Sequence, residues 1–531
     1  MKKNHIIKYP FISLLALLFL LPLSLLTQAL DQQQLSNLDQ LVNSALKQTG
    51  VPGVSIAIVQ DNQIILTKGY GTKEINKNKP VDENTLFAIA SNSKAFTATA
   101  MGILVDRNQV SWDDRVKKYL PYFELYDPYA SDHMNMIDIL AHRLGYKHFS
   151  GDLLWYDTQY KPEEIIRRFK YVKPDFQFRS NFGYSNIGYI TAGEVIAQIS
   201  GMSWRKFIEK EIFKPLGMKN SYTSYQSIRK KTKVASPHYE ALDNQGNVIF
   251  QPLDWHHNDA IDAAGSIVTS AKDITHWMQL QLNRGSYKGK NIFSKAVSDK
   301  LWTAVNAVSI PPKTEQSPNH LMAYGLGFFV NDHHGKLMVT HSGSVEGMTS
   351  RIALIPEDNL GVAVFTNSTA PLATQLAHQI IAITQKNQVK SESEPFDSAK
   401  LAANNKRNFK DKIAARASAL GPITKNTQPA YSLADYAGTY RSKMYGDILV
   451  ELKNDQLTMK MLPSPMLTAQ LSHRHYDVFT IHWDNGRAWI NEGTAHFVSN
   501  SKGQITELKL NVPNDDIWFD EPHFYRVAPN P

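Results

Sequence analysis

Between residues 386 and 428 the sequence loses its apolar patterning: Ser391-Glu392-Ser393-Glu394-Pro395 runs into a stretch rich in Lys, Ala and Asn. A segment of this kind has too little apolar surface to build a core of its own. The chain is therefore expected to fold as separate units on either side of it, with 386–428 as a linker carrying one solvated helix. The two sides differ in texture. Residues 30–385 mix apolar helical patterns (Ser91 to Val105, Pro162 to Phe169, Ile187 to Ile199, Ala271 to Leu282) with short β-rich runs (Val54 to Val59, Ile64 to Thr67, Leu337 to Thr340, Arg351 to Ile355, Gly361 to Phe365) and show no internal repeat, which predicts one large α+β unit. The Asp61-Asn62 pair between the first two runs is a hairpin signal. Residues 429–531 alternate over short strands separated by Asn, Asp and Gly, the pattern of a small antiparallel barrel or sandwich.

Residues 1–29 read as a signal peptide. Lys2, Lys3 and Lys8 precede an apolar run from Phe11 to Leu26, short for a bilayer span, and Thr27-Gln28-Ala29 offers a small-x-small cleavage site. The expectation is an exported protein, periplasmic or secreted, with no stable membrane span once the leader is cleaved. The 531 residues include no cysteine. That excludes disulfides, thiolate metal sites, a cysteine nucleophile and a lipobox anchor, so any nucleophile is an oxygen or a nitrogen. The net charge of +8 is scattered, with no basic stripe interleaved with aromatics, and no nucleic-acid partner is expected.

Three short motifs carry chemistry. In Ser91-Asn92-Ser93-Lys94 the spacing i, i+3 puts an ammonium against a hydroxyl on one helix face, and a desolvated lysine can take the serine proton. The same spacing recurs at Ser44/Lys47, Ser203/Lys206, Ser227/Lys230 and Ser499/Lys502; Ser91 is set apart by its apolar flanks, Phe87-Ala88-Ile89-Ala90 and Ala95-Phe96-Thr97-Ala98. Tyr184-Ser185-Asn186 precedes an apolar helix: a tyrosine near two lysines could act as a phenolate base and the amide could orient a lysine or a substrate, or Asn186 could simply cap the helix. His341-Ser342-Gly343-Ser344 follows a β-run, where Gly343 admits a close neighbour and the N–H of Ser344 could complete an oxyanion hole with that of Ser91. His256-His257 with Asp259, and His473 with His475 sharing a strand face, are the nearest approaches to metal ligands; both read better as loop and strand residues, and no metal is expected.

The order of these motifs, with Val51-Pro52-Gly53-Val54, Lys68-Gly69-Tyr70-Gly71, Phe213-Lys214-Pro215-Leu216-Gly217-Met218, Tyr324-Gly325-Leu326-Gly327 and Phe365-Thr366-Asn367, resembles the serine β-lactamase and penicillin-binding family, specifically the class C β-lactamase-like serine hydrolases, over about residues 30–385. The resemblance implies a β-lactamase/transpeptidase-like fold, an antiparallel sheet flanked by helices plus an all-helical lobe. It also implies an acyl-enzyme on Ser91, proton relay through Lys94 and Tyr184, Asn186 on the acyl side, His341 on an edge strand, and Gly343 and Ser344 beside the substrate. Trp155, within Leu154-Trp155-Tyr156, falls where relatives build a pocket wall. No cofactor is implied, and the substrate would be a small molecule or a cell-wall peptide. Two departures stand out. Histidine replaces the lysine of Lys-Thr-Gly, removing a fixed cation for a substrate carboxylate and favouring esterase, amidase or aminopeptidase-like substrates. Ala141-His142-Arg143-Leu144-Gly145 alters a loop near the site. Residues 429–531 resemble the lipocalin-like β domain appended to such hydrolases. The rival reading is a non-catalytic sensor or scaffold that kept the fold.

Overall fold

The computed structural model describes residues 30–228, 230–255, 259–310, 320–385, 397–485 and 489–528; the leader at 1–29 and the His256-His257 pair lie outside them. The first unit is built on an antiparallel sheet of β1 (Gly53–Gln60), β2 (Gln63–Gly71), β3 (Asn306–Ala307), β4 (Met322–Tyr324), β5 (Phe329–His333), β6 (Lys336–Val345), β7 (Met348–Ile355) and β8 (Leu360–Thr366). Their order is β2-β1-β8-β7-β6-β5-β4-β3. The β1–β2 hairpin closes through Asp61 and Asn62, at φ 49° and 63°. Two successive left-handed residues give the turn whose twist matches that of the strands, and Asn and Asp reach that conformation at the least steric cost.

The helices that matter here are α1 (Gln32–Thr49), α2 (Ser93–Asp106), α3 (Asn186–Ser200), α4 (Ala271–Leu282), α5 (Leu372–Gln385) and α6 (Ser398–Ala419). Every residue of β1 is buried. Leu38 and Val42 of α1 and Leu376 and Ile380 of α5 join Ile56 and Val364 in one core on one face of the sheet, while Trp277 and Met278 of α4 join Ala57 and Phe365 in the other core. A strand covered on both faces needs no polar alternation, which is why Val54 to Val59 reads as an almost unbroken apolar run. Helix α2 is buried from Ser93 to Leu104, apolar all round because it runs through the middle of the helical lobe. Gly102 makes that possible on one side, since a Cβ there would lie 2.3 Å from Val297 Cγ1. Among the described residues no helix is long and apolar enough to cross a membrane.

Residues 398–419 form the one helix expected in the linker, and it makes more contacts than a free solvated helix would. Helix α6 lies along α1, where Ser398 Oγ and Ser44 Oγ are 2.7 Å apart, with Ala402 and Asn405 buried. Further along, Lys412 and Arg416 both pair with Asp515. Only a narrow stripe of the helix is covered, so a polar composition suffices for a helix that braces the two halves of the chain.

The C-terminal strands β9 (Gly438–Ser442), β10 (Gly446–Lys453), β11 (Gln456–Met461), β12 (Thr468–His475), β13 (Val478–Trp483), β14 (Gly493–Ser499), β15 (Ile505–Asn511) and β16 (Phe524–Arg526) form a closed barrel. It is sealed by β9 pairing with β16 at Tyr440↔Arg526, which decides for a barrel over a sandwich. Alternation is plain in β11, where Leu457, Met459 and Met461 point inward. The barrel is seated on the helical lobe by polar contacts: Tyr160 Oη donates to Tyr445 O at 2.6 Å, Ser464 Oγ to Tyr156 O at 2.9 Å, Trp518 Nε1 to His148 O at 2.7 Å, and the Gly151 N–H to Glu521 Oε2 at 2.8 Å.

Candidate active site

Ser91 does not belong to α2 itself. It sits in the single 3-10 turn Ala90–Asn92 that delivers the chain into the helix, and it is partly exposed while its neighbours are buried. Ala90 holds φ 47°, a conformation that costs a residue with a Cβ about 1–2 kcal/mol. Hydrogen bonds around it hold the turn in place: Asn92 Nδ2 donates to Ser350 Oγ at 2.9 Å, Ser350 Oγ to Ile89 O at 2.8 Å, and the Ile267 N–H to Ser93 Oγ at 3.0 Å. Gly343 of β6 lies against the same turn. A Cβ on it would sit 2.2 Å from Ile89 O and 2.5 Å from Ser350 Oγ, so the close neighbour this glycine admits is the backbone that carries Ser91.

Lys94, one helical turn on, is 0% exposed. Its Nζ donates to Ser91 Oγ at 3.0 Å, to Asn186 Oδ1 at 2.7 Å and to Ala264 O at 2.8 Å. Burial pushes its pKa from 10.5 down to about 7, against the opposing pull of the Asp152 carboxyl. The cause is desolvation rather than a second cation. Asn186 is the first residue of α3, and the helix is capped by its neighbour: Ser185 Oγ accepts from the Gly188 N–H at 3.3 Å. That frees the Asn186 amide, whose Nδ2 donates to Asp152 Oδ2 at 2.7 Å. Asp152 is itself buried, and burial raises its carboxyl well above the usual range even though the Asn186 amide and Lys94 favour its charged form.

The Tyr184 hydroxyl stands near Ser91, close enough for the serine to favour its ionised form, and its ring centroid lies 4.8 Å from Lys94 Nζ. The phenolate that two neighbouring lysines would favour is not what this environment supports. Burial drives the phenol well above its ordinary pKa, and the nearby Ser91 only partly opposes that. Lys94 is the one lysine over this ring among the described residues. Behind Tyr184 stands His142, whose ring centroid is 4.3 Å from that of Tyr184 and whose Nδ1 accepts from the Ser185 N–H at 2.9 Å. Burial, then the charge of Lys94, keeps His142 neutral.

His341 lies within β6, not after it, and β6 is an interior strand of the sheet, which corrects its placement on an edge strand. The register with β5 nevertheless ends at Thr340, while pairing with β7 continues through Val345. Residues 341–345 thus form a local edge. His341 Nδ1 donates to Ser342 O at 2.5 Å and Nε2 accepts from Tyr324 Oη at 2.9 Å. Burial and the charge of Lys94 push the imidazole down to about 3, so it is a neutral, fully engaged ring. Ser344 is exposed at this edge.

Ser91, Tyr184, Asn186, His341 and Ser344 line one cavity of about 360 Å³, with Trp155 in its wall. Trp155 is buried, its indole N–H near the Asp152 carboxyl but outside full hydrogen-bond geometry. The sequence reading missed Asp152, Tyr324, Trp489 and Asp516, and it noted His142 only as a loop departure. Asp152 stands two residues before Leu154 and Tyr324 opens a quoted landmark, so both were within reach. Trp489 and Asp516 come from barrel loops and carry no local signal. His473 and His475 are split by a β-bulge in β12, so they do not act together. Among the described residues no group of three or more His, Asp or Glu could hold a metal ion.

The model for the Beta-lactamase family matches residues 38–385, and one described as a domain of unknown function (DUF3471) matches residues 423–524. Among curated proteins, the chain is 27% identical to the unguisins hydrolase ungD' of Aspergillus campestris (strain IBT 28561) over 424 residues, covering 77% of this chain and 76% of that one. It is also 27% identical to Protein flp of Staphylococcus aureus (strain N315) over 355 residues, 66% of each. Among solved structures, the octameric penicillin-binding protein homologue from Pyrococcus abyssi superposes with a TM-score of 0.56 at 22% identity, over 93% of this chain and 100% of that one. D-amino acid amidase from Ochrobactrum anthropi SV3 superposes with a TM-score of 0.54 at 21% identity, over 66% and 100%.

Proposed function

Since the chain belongs to the Beta-lactamase family, we propose that it is a serine hydrolase that forms an acyl-enzyme on Ser91 and cleaves amide or ester bonds in small substrates or cell-wall peptides. The observation that carries this is the buried Lys94 amine, 3.0 Å from Ser91 Oγ and shifted to about 7. A neutral fraction of that amine takes the hydroxyl proton as Oγ attacks the carbonyl carbon. The N–H groups of Ser91 and Ser344 receive the developing oxyanion. Tyr184, a neutral phenol beside Ser91 and Lys94, gives its proton to the leaving group as the carbon–heteroatom bond breaks and is reprotonated by the Lys94 ammonium; water then attacks the acyl carbon, its proton passing to the neutral Lys94 amine and from there to Oγ as the acyl group leaves. Asn186 holds Lys94 and meets the acyl side.

Among class C-like activities, a neutral His341 favours substrates without a carboxylate at that position, amidase, aminopeptidase or esterase substrates before β-lactams. The similar proteins named hydrolase and amidase support bond cleavage over a sensor role. The leader at 1–29 supports export to the periplasm or beyond. Intact-mass measurement after exposure to a fluorophosphonate tests the proposal: a single adduct that disappears in Ser91→Ala is expected, and no adduct, or one that survives the substitution, would overturn it.

A further inference from the structure

Part of the wall of the Ser91 cavity comes from the C-terminal barrel, which places Trp489 and Asp516 beside Ser91, Tyr184 and Asn186. Trp489 is fixed there by its backbone N–H, which donates to Glu346 Oε1 at 3.3 Å, and by stacking on Tyr156, ring centroids 6.0 Å apart. Asp516 is different. Lys412 and Arg416, which favour its charged form from a distance, pair directly with Asp515, and among the described residues no hydrogen-bond donor reaches the Asp516 carboxyl. Burial and then Asp515 raise it to about 6, and its charge is felt at both Tyr184 and Asp152. Asp516 is half-buried, and a carboxylate in that position without a hydrogen-bond partner gains from a cation brought directly against it.

The rest of the cavity says what that something is. Phe149, Trp155, Phe182, Val308 and Phe329 make its surface mainly apolar. His341 is neutral and already donates and accepts, and the Lys94 ammonium is taken up by three oxygens. Among the described residues, the cavity lining thus offers no free cation for a substrate carboxylate, and of its two carboxyls Asp152 is fully buried and bound to the Asn186 amide, which leaves the more exposed Asp516 for a substrate amine.

We propose that Asp516 is a specificity-determining residue whose carboxylate receives the protonated amine of a substrate presenting its scissile carbonyl to Ser91, so that small amine-bearing amides or esters with an apolar side group are preferred. The proposal rests on the hydrolase reading above. Fluorophosphonate labelling of Ser91 in the full chain tests that reading by itself, and a failure to label removes both. With labelling established, protection is measured with phenethylamine and with its neutral N-acetyl derivative, at a pH where the amine is protonated. The concentrations that halve the labelling rate should differ by about tenfold in favour of the amine. The ratio should fall to near one in Asp516→Asn, reverse in Asp516→Lys and persist in Asp516→Glu. Equal protection in the unsubstituted protein, or a ratio that Asp516→Asn and Asp516→Lys leave unmoved, would overturn the assignment.

Discussion

Oδ1 of Asn186 accepts a hydrogen bond from Nζ of Lys94 over 2.7 Å. Because that acceptor is neutral, the buried amine has no counter-charge in direct contact, and its pKa stays near 7. Asn186→Asp would put a carboxylate there and favour the ammonium by about one pH unit or more. The acid limb of kcat/KM, set in the unsubstituted enzyme near pH 7 by loss of the neutral amine, should move upward by that amount. A limb that stays in place would remove Lys94 as the base.

The same burial has a thermodynamic signature. In the folded chain Lys94 titrates near 7, below its ordinary 10.5, so between those values the unfolded chain binds more protons and stability rises with pH. The slope approaches 1.4 kcal/mol per pH unit on the order-of-magnitude scale. The unfolding free energy of the unsubstituted protein, less that of Lys94→Met, should therefore climb from pH 7 to pH 9, as followed by denaturant titration at each pH. A flat difference would show an amine that titrates normally.

Gly343→Ala tests the contact between β6 and the Ser91 turn. The new methyl would meet Ile89 O and Ser350 Oγ at 2.2 and 2.5 Å, and backbone must move to relieve it. The sheet around it is intact up to Val345, so circular dichroism should change little while the labelling rate of Ser91 drops about a hundredfold. A labelling rate within twofold of the original would mean that the turn tolerates displacement.

His341→Lys would add a fixed cation at the local edge of β6, where the imidazole is neutral. Carboxylate-bearing substrates should gain on neutral ones by about tenfold in kcat/KM. Should the ratio stay constant, position 341 does not face that part of the substrate.

How much of this was legible depended on whether the determinant was local. The β1–β2 hairpin and the length of α4 follow from turn chemistry and apolar spacing within a few residues. Ser91 and Lys94 were found by i, i+3 spacing and flanking apolarity, which are equally local. The neutral state of Tyr184 was not legible, because it depends on which charges the fold leaves around the ring, and it leaves one lysine rather than two. His341 was expected on an edge strand and instead begins a local edge of an interior strand, because where that edge starts is set by where β5 stops pairing, some ten residues away in sequence. Helix α6 was expected as a solvated helix within the linker, but its bracing contacts were not legible, because a brace with a narrow contact stripe has nearly the composition of a free helix. Asp516 had no signal at all, since its importance comes only from where the barrel is seated.

That seating has a consequence for the nascent chain. Ser91 is translated about 400 residues before two pieces of its cavity wall, Trp489 and Asp516, so the contacts that complete the pocket span a large part of the sequence. Contacts of that range are slow to form. A polypeptide cut short before residue 489 would carry Ser91 without two pieces of the wall that encloses it.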